Sequence, residues 1–510
     1  MRFIRRYNSA TPRLIDSIVG TNIGARLMRV SLGLIVLTLI ALPFADLAIT
    51  TRDPWSELGR MFVGFITPNI LATESPLHAV LLTVAFAFWG VALGILLGFP
   101  LALLFMRSRL VRVGCAFVRA IHELFWALLF LQVFGLSAIT ALAAIALPYA
   151  GIFAKVYAEI LLQIDTAPQQ TLPQGVDRLS RFLYTELPLA WARLASYTRY
   201  RFECALRASV LLGFVGLPTL GFHLESAFRQ GRYHEAGALL WAFYLLIALL
   251  PFWAHRRLVP LWLLGTLFLL GPWPTVDGEL LWRFLSVDIW PQPLLAGDFK
   301  GLALWFTQLP DLLPAIGNTL LLGLMSTAGS LVVCLLLWPL ASRHFGQRAT
   351  RWLGTGALIG LRSTPELLLA FIFLLLVGPS LLPAWLALSL HNGALIAFLA
   401  ARHADQLKFG MPGLKGVNLY AYELMPRIYP GILALLFYRA EVIIRETALL
   451  GMLGVATLGF HIDSSFAYLM FDQAVALLLI TALLNIGVDA LSRRLRPDAL
   501  APTIERTCEG

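Results

Sequence analysis

The chain has 510 residues, of which 59% are hydrophobic and 13% charged, and its formal net charge is +10. Soluble proteins are about a quarter charged, whereas this chain carries repeated apolar runs long enough to cross a bilayer, which excludes a soluble protein. The positive charge does not indicate nucleic-acid binding, because Arg and Lys lie mainly in short segments between the apolar runs, as they do in membrane proteins.

The apolar runs predict about twelve transmembrane helices, six in each half of the chain. In chain order they are 30–49, 79–106, 113–135, 138–160, 189–212, 235–254, 259–272, 314–341, 353–378, 381–401, 428–450 and 474–492. The run at 259–272 is the shortest. Two amphipathic stretches, Trp55–Leu71 and Leu281–Leu309, precede the second run of each half, and either interfacial helices or structured loops fit them.

A 22-residue stretch occurs twice, at Arg207–Phe228 and at Arg445–Phe466, with twelve identical positions. The displacement of 238 residues contains no gap, which indicates an internal duplication. An even number of helices in each copy gives both copies the same orientation. We therefore predict an all-α polytopic membrane protein of two parallel six-helix repeats.

This prediction divides the chain into five parts. They are an N-terminal segment with the first span and an interfacial helix (1–74), a first repeat core (75–257), a connecting span and outer segment (258–309), a second repeat core (310–496) and a tail (497–510).

The basic residues of the short loops predict the orientation in the membrane, because they favour the cytoplasmic side. Alternate loops are basic throughout, and the others carry acidic residues such as Asp46 and Asp277. Both termini are predicted to be cytoplasmic. The inner loops contain Arg107, Arg109, Arg112, Arg178, Arg181, Arg193, Arg256, Arg257, Arg343, Arg348, Arg351, Lys408, Lys415, Arg427, Arg493, Arg494 and Arg496.

Ionisable residues inside the predicted spans are candidates for function, because they are costly in a membrane. The set at matching positions consists of Arg201 with Arg439, Glu203 with Glu441, Arg207 with Arg445, Arg119 with Arg362, and Glu123 with Glu366. One interpretation is that they form charge pairs at i, i+4 spacing that hold helices together.

The second interpretation concerns Arg201 and Arg439. Arg201 points away from Glu203, two residues further along the helix, so Arg201 and Arg439 are predicted to be unpaired. They would face the transport pathway and bind an oxyanion with two hydrogen bonds each. Substitution of either by Ala is expected to abolish uptake.

Glycines follow Arg207 and Arg445 at the same spacing and predict a break in the helix. Irregular backbone at membrane depth occurs where it is buried in protein or lines a cavity, so we predict a gate at the outer end of the pathway. Close helix packing is the alternative. The glycines are Gly213, Gly216 and Gly221 in one copy and Gly451, Gly454 and Gly459 in the other.

The longest inner loop of each copy, 163–188 and 402–426, also repeats. Gly175 precedes Pro188 by 13 residues, and Gly413 precedes Pro426 by the same distance. The residues between them predict a short amphipathic helix on the cytoplasmic surface, bounded by a glycine turn.

These motifs resemble the permeases of ABC importers, and among them the phosphonate type. The Gly-to-Pro spacing resembles their cytoplasmic coupling loop, although the usual Glu-Ala-Ala is replaced by Gln169-Gln170 and Leu407-Lys408. Leu-Gly-x-Val/Leu-Gly-x-x-Thr-Leu-Gly-Phe is similar to the Val-Leu-Gly-Leu-Val-Gly-Ala-Gly-Gly-Ile-Gly-Phe of that type. The segments that begin at Arg119 and Arg362 resemble its Arg-x-x-Pro-Glu-Leu-x-Trp-Ala, and the resemblance covers about 75–255 and 310–495.

The resemblance implies two permease domains fused in one chain of a bacterial inner membrane, importing phosphonates or related phosphorus oxyanions by alternating access. It also implies two cytoplasmic ATP-binding subunits and a periplasmic or extracellular substrate-binding protein. From their position beyond the glycine stretches, we expect Glu225 and Asp463 to belong to the docking surface for that protein.

The sequence contains no Gly-x-x-x-x-Gly-Lys-Ser/Thr phosphate loop. We therefore expect ATP hydrolysis on a partner subunit, and no cofactor, metal or catalytic residue in this chain. Two alternatives remain: an ABC permease for another solute, such as methionine, thiamine or iron, and an ion-coupled secondary transporter.

Overall fold

The computed structural model describes residues 28–51, 53–165, 167, 172–173, 175–255, 257–271, 277–307, 309, 311–407 and 414–495. The predicted tail at 497–510 and the loop residues Gln169, Gln170, Lys408 and Gly413 lie outside these ranges. Within them the secondary structure is helical, which confirms the all-α prediction for this part of the chain.

The first half contains nine principal helices. They are α1 (Met28–Phe44), α2 (Pro54–Ile66), α3 (Pro76–Phe105), α4 (Arg109–Ala120), α5 (Glu123–Phe134), α6 (Ala138–Leu162), α7 (Arg178–Val215), α8 (Leu220–Arg229) and α9 (Tyr233–Ala248).

The second half repeats much of this order after two short helices. Its helices are α10 (Val259–Leu267), α11 (Phe299–Thr307), α12 (Leu312–Ala341), α13 (Arg348–Ser363), α14 (Glu366–Val377), α15 (Leu381–Gln406), α16 (Gly416–Leu453), α17 (Leu458–Ala467) and α18 (Phe471–Leu495). Shorter helical turns lie at Leu250–Trp253, Gly278–Arg283 and Gln292–Leu295.

Five single helices are long and apolar enough to cross a membrane: α3, α6, α12, α15 and α18. Four bent pairs raise the number to nine, namely α4 with α5, α7 with α8, α13 with α14 and α16 with α17. These nine coincide with nine of the twelve predicted runs.

The other three runs form shorter helices. The run at 30–49 gives α1, and the run at 235–254 gives α9 followed by a separate turn. The run at 259–272 gives α10, whose nine residues rise only about 14 Å, so the structure does not confirm this run as a span. Its Trp262 instead packs on Phe88 of α3, with ring centroids 6.0 Å apart.

The two amphipathic stretches are helical rather than irregular. Helix α2 packs against α9, where Phe65 stacks on Trp241 at 4.9 Å, and α11 lies in the second stretch. Position 64 is glycine because a side chain there would collide with the backbone of Tyr233.

Each half is built around one long helix. Helix α3 packs along α6 and α7 in the first half, and α12 packs along α15 and α16 in the second. The two halves then meet through members of the bent pairs, because α5 contacts α17 and α14 contacts the end of α16.

Candidate functional site

The bent pairs supply the framework of the candidate site. Helices α4 and α5 meet at 90°, and α13 and α14 meet at 97°. At the first break, His122 accepts a hydrogen bond from the Leu124 amide and begins α5. At the second, Pro365 keeps Thr364 extended, because a proline disfavours the helical conformation of the residue before it. The C-terminal carbonyl groups of α4 and α13 are thereby left without helical partners.

Arginines from the opposite half satisfy these carbonyls. Arg207 of α7 donates from Nη1 to the carbonyl of Arg362 at 3.1 Å, and Arg445 of α16 donates to the carbonyl of Arg119 at 3.0 Å. Both acceptors lie in the last turn of their helix, where positive charge is favourable. The two contacts are equivalent by sequence and cross the boundary between the halves.

The predicted i, i+4 pairs of α4 with α5 and of α13 with α14 are wrong, because the breaks lie between their members. Arg119 instead approaches Glu441 and Asp489, each at 3.4 Å, from the second half. Glu123 lies 3.7 Å from His122. The charge pairing between helices is therefore present, but with different partners.

The equivalent residues of the second half differ again. Arg362 stacks over the ring of Phe398 at 4.3 Å, and Glu366 lies 3.7 Å from His391. The expected pair of Glu203 with Arg207 is also wrong, since Arg207 turns to the Arg362 carbonyl and to Cys204 Sγ at 3.5 Å. Glu203 forms no ion pair with a residue of the described part of the chain.

Arg201 has an aromatic environment. Its Nε donates to the Tyr197 hydroxyl at 2.7 Å, and its guanidinium lies 6.0, 5.4 and 5.6 Å from the ring centroids of Tyr149, Tyr197 and Tyr200. Ring faces attract a guanidinium but do not neutralise it. Among the described residues no carboxylate pairs with Arg201, as predicted.

Arg439 is paired, contrary to the prediction. Its Nε donates to Asn392 Oδ1 at 2.7 Å, and its Nη2 lies 3.3 Å from Glu446 Oε1. Asn392 also donates to the other Glu446 oxygen at 3.1 Å, which closes a triad, and the Glu366 carboxyl contacts Glu446 as well.

Sequence analysis missed Glu446 and Asn392 because neither has a polar counterpart at the matching position with which to form a repeat. Glu446 could have been found as an acidic residue in an apolar span beside Arg445.

Tyr200 and Tyr438 connect the two arginines. They occupy equivalent positions, 238 residues apart as Arg201 and Arg439 are, and Tyr200 lies near both Tyr438 and Arg439. Their surfaces are 42% and 46% exposed although both lie among the interior charges. Both tyrosine side chains are therefore accessible close to the boundary between the halves.

The glycine stretches break the helix, as predicted. After α7, Gly216 adopts φ +96°, and α8 leaves at 52°. A side chain at Gly213 would collide with the amide of Phe222, and one at Gly221 with the carbonyl oxygen of Val210. The stretch therefore needs glycine both for the left-handed turn and for the close contact between the end of α7 and the start of α8. Its role as a gate stays a prediction.

The second copy forms the same turn. Gly454 adopts φ +86°, and α17 leaves α16 at 46°. Gly451 and Gly459 are in close contact across the turn, as in the first copy. The hydroxyl groups of Thr83 and Thr319 accept hydrogen bonds from the first amides of α8 and α17 at 2.9 and 3.0 Å. These bonds fix the start of the helix that follows each turn.

The inner loops differ from the prediction in one respect. Gly175 is left-handed at φ +94°, and Asp177 then caps the next helix by accepting from the amides of Leu179 and Ser180. That helix does not end before Pro188. It continues into the span as α7, and a π-helical turn at Phe182–Glu186 accommodates the proline.

The second inner loop follows the same course. A π-helical turn at Leu419–Leu424 precedes Pro426 within α16. Gly416, at φ +57°, is the first residue of α16. Among the described residues, no group of three His, Cys, Asp or Glu could hold a metal ion.

The chain is similar in sequence to several transport permeases. The phosphate-import permease protein PhnE of Mycolicibacterium smegmatis is 26% identical over 84% of this chain and 85% of its own length. The phosphite transport system permease protein PtxC of Stutzerimonas stutzeri is 28% identical over 39% of this chain and 72% of its own. The putative cryptic phosphonate transport system permease protein PhnE2 of Escherichia coli is 30% identical over 21% of this chain and 88% of its own. No family model and no solved structure matches.

Proposed function

We propose that this chain, which belongs to the phosphonate-type permease family of ABC transporters, forms the membrane pathway of an importer for phosphorus oxyanions. Its relatives are named as permeases for phosphate, phosphite and phosphonate. These solutes share a tetrahedral phosphorus atom with negatively charged oxygens, so they share the chemistry that a guanidinium recognises.

The observation that carries this proposal is the position of Arg201. Its guanidinium lies against the exposed Tyr200 and has no carboxylate partner in the described part of the chain. A buried cation held in this way attracts an anion strongly, because water screens the charge poorly. A permease for a neutral or cationic solute would not benefit from it.

The architecture that we propose is two parallel six-helix repeats with about twelve spans and cytoplasmic termini in a bacterial inner membrane. A separate pair of ATP-binding subunits supplies the energy. They contact the inner segments around Gly175, Pro188, Gly413 and Pro426. Because the segment after Gly175 continues into α7 without interruption, a push on it moves the whole of α7.

This continuity gives a mechanism. Helix α7 carries Arg201, Arg207 and the glycine turn, so closure of the ATPase subunits changes the contact between the halves and the outer turn together. A substrate-binding protein delivers the solute while the pathway is open outward. Hydrolysis of ATP on the partner subunits then returns the halves to the inward-open arrangement.

Uptake measurements test this proposal. Cells with and without the chain and its partner subunits are given phosphite, phosphate and a series of alkylphosphonates, and we expect uptake of at least one of them to require the chain. Exclusive uptake of methionine, thiamine or iron would refute the solute class. Uptake that continues without ATP and stops when the proton gradient is removed would instead show a secondary transporter.

A further inference from the structure

We propose that the permease binds its anion asymmetrically, at one site around Arg201 in the first half. The equivalent site at Arg439 is occupied by side chains of the protein itself. This inference rests on the proposed function and specifies where the phosphorus oxyanion is bound. It follows from a comparison of the two halves at equivalent positions.

The first half leaves part of the Arg201 guanidinium available. Its Nε is occupied by the Tyr197 hydroxyl, while no described residue accepts from its two Nη groups. Those two groups form the edge that binds a tetrahedral oxyanion through parallel hydrogen bonds. Tyr149, Tyr197 and Tyr200 hold the plane of the guanidinium through their rings, so the edge is oriented before the anion arrives.

The second half occupies part of the same edge with its own group, because Glu446 Oε1 lies 3.3 Å from Arg439 Nη2. Asn392 lies twelve residues after the cap Ser380, as Tyr149 lies twelve residues after the cap Ser137, so the two positions are equivalent. An amide acceptor therefore replaces an aromatic ring beside the arginine.

The carboxylate has no counterpart in the first half. The position equivalent to Glu446 is Ala208, and the position equivalent to Tyr197 is Leu435. The Arg439 side chain is 13% exposed and that of Glu446 is 4% exposed. The Glu446 carboxyl also contacts that of Glu366, so two acidic side chains lie around Arg439 and disfavour a second anion there.

Tyr200 and Tyr438, each next in sequence to one of the two arginines, are exposed to a similar extent. Access alone therefore does not distinguish them. The two halves differ in what surrounds each arginine: aromatic rings around Arg201 in the first half, and Asn392 with the acidic Glu446 around Arg439 in the second.

The test is binding of inorganic phosphate and methylphosphonate to the purified transporter, with its ATPase subunits, followed by phosphorus-31 NMR line broadening. We expect Arg201→Gln to weaken binding roughly 10- to 100-fold, as the loss of a charged bidentate contact implies. Arg439→Gln is expected to leave the affinity of the folded protein unchanged. Arg60→Gln is the matched control, because Arg60 also stacks on a tyrosine, Tyr233 at 5.3 Å, but lies on α2.

Arg201→Lys separates binding from folding. It keeps the charge but not the bidentate geometry, so a monodisperse Arg201→Lys protein with weakened binding supports the inference even if Arg201→Gln does not fold. Equal losses in Arg201→Lys and Arg439→Lys, or binding unaffected by either, would overturn it. If wild-type cells take up a phosphorus oxyanion while binding is independent of Arg201, only this inference fails. If the wild type neither binds nor transports any of them, the proposed function fails too.

Discussion

Arg207 donates a hydrogen bond to the main-chain carbonyl of Arg362 at 3.1 Å, although the two residues belong to different halves of the chain. Arg445 makes the reciprocal contact to Arg119 at 3.0 Å. Each half thus supplies the cation that caps a broken helix of the other. A motion that separates the halves must break both contacts, so they stabilise the arrangement seen in this structure.

The first prediction concerns these caps. We expect Arg207→Ala or Arg445→Ala to destabilise the detergent-solubilised chain by about 1.5–3 kcal/mol, the value of a hydrogen bond to a charged group. Denaturant unfolding of the purified protein measures it. Arg60→Ala is the control, because its ion pair with Glu57 is largely exposed and should contribute about 1 kcal/mol or less. Equal effects of all three substitutions would exclude a special role for the caps.

The second prediction concerns the triad around Arg439. Glu446→Ala leaves a buried guanidinium without its carboxylate, which costs about 3–5 kcal/mol when one member of a buried ion pair is removed. Adding Arg439→Met should restore most of that stability, because the remaining charge is then gone. The same unfolding measurement compares the single and double variants. A double variant no more stable than Glu446→Ala would show that the ion pair is not the cause.

The third prediction concerns the glycine turn. Gly216→Ala places a side chain at φ +96° and should cost about 1–2 kcal/mol. Gly114→Ala is the control, because Gly114 lies within α4 with no atom close to an added methyl group, and it should stabilise that helix by about 0.5–1 kcal/mol. Unfolding of the two variants gives the comparison. Similar changes in both would mean that the left-handed conformation is not required.

The glycine turn shows what the sequence could predict. Its glycines occur at the same spacing in both copies of the repeat. The requirement for glycine that one copy suggests is therefore supported by the other copy. The same holds for the apolar runs that form the nine spans, since their length and composition are local properties.

The charge pairs show what the sequence could not predict. Arg119 and Glu123 have helical spacing, but the chain breaks at His122, and the partner of Arg119 is Glu441, more than 300 residues away. That choice depends on how the two halves meet. Duplication also misled the prediction for Arg439, because the residues that bind it, Asn392 and Glu446, are those in which the halves differ.

The last prediction concerns Asp177, which begins the segment that we expect to contact the ATPase subunits. Its carboxylate accepts from the amides of Leu179 and Ser180, each at 3.2 Å. Hydrogen bonds from the Ser180 side chain and backbone hold the pKa of Asp177 below its ordinary value. A lowered carboxylate pKa means that the cap stabilises the helix above the unfolded pKa of about 3.9 and is lost as the pH falls through the folded pKa.

Two substitutions separate the cap from its charge. Asp177→Ala removes the acceptor, so we expect faster hydrogen–deuterium exchange in Arg178–Arg181 at neutral pH and weaker ATP-driven uptake. Asp177→Asn keeps an acceptor of similar capping strength, so its exchange at neutral pH should stay close to that of the wild type and should not rise as the pH is lowered through the acidic range. If Asp177→Asn loses protection as Asp177→Ala does, the negative charge rather than the cap geometry holds the start of α7.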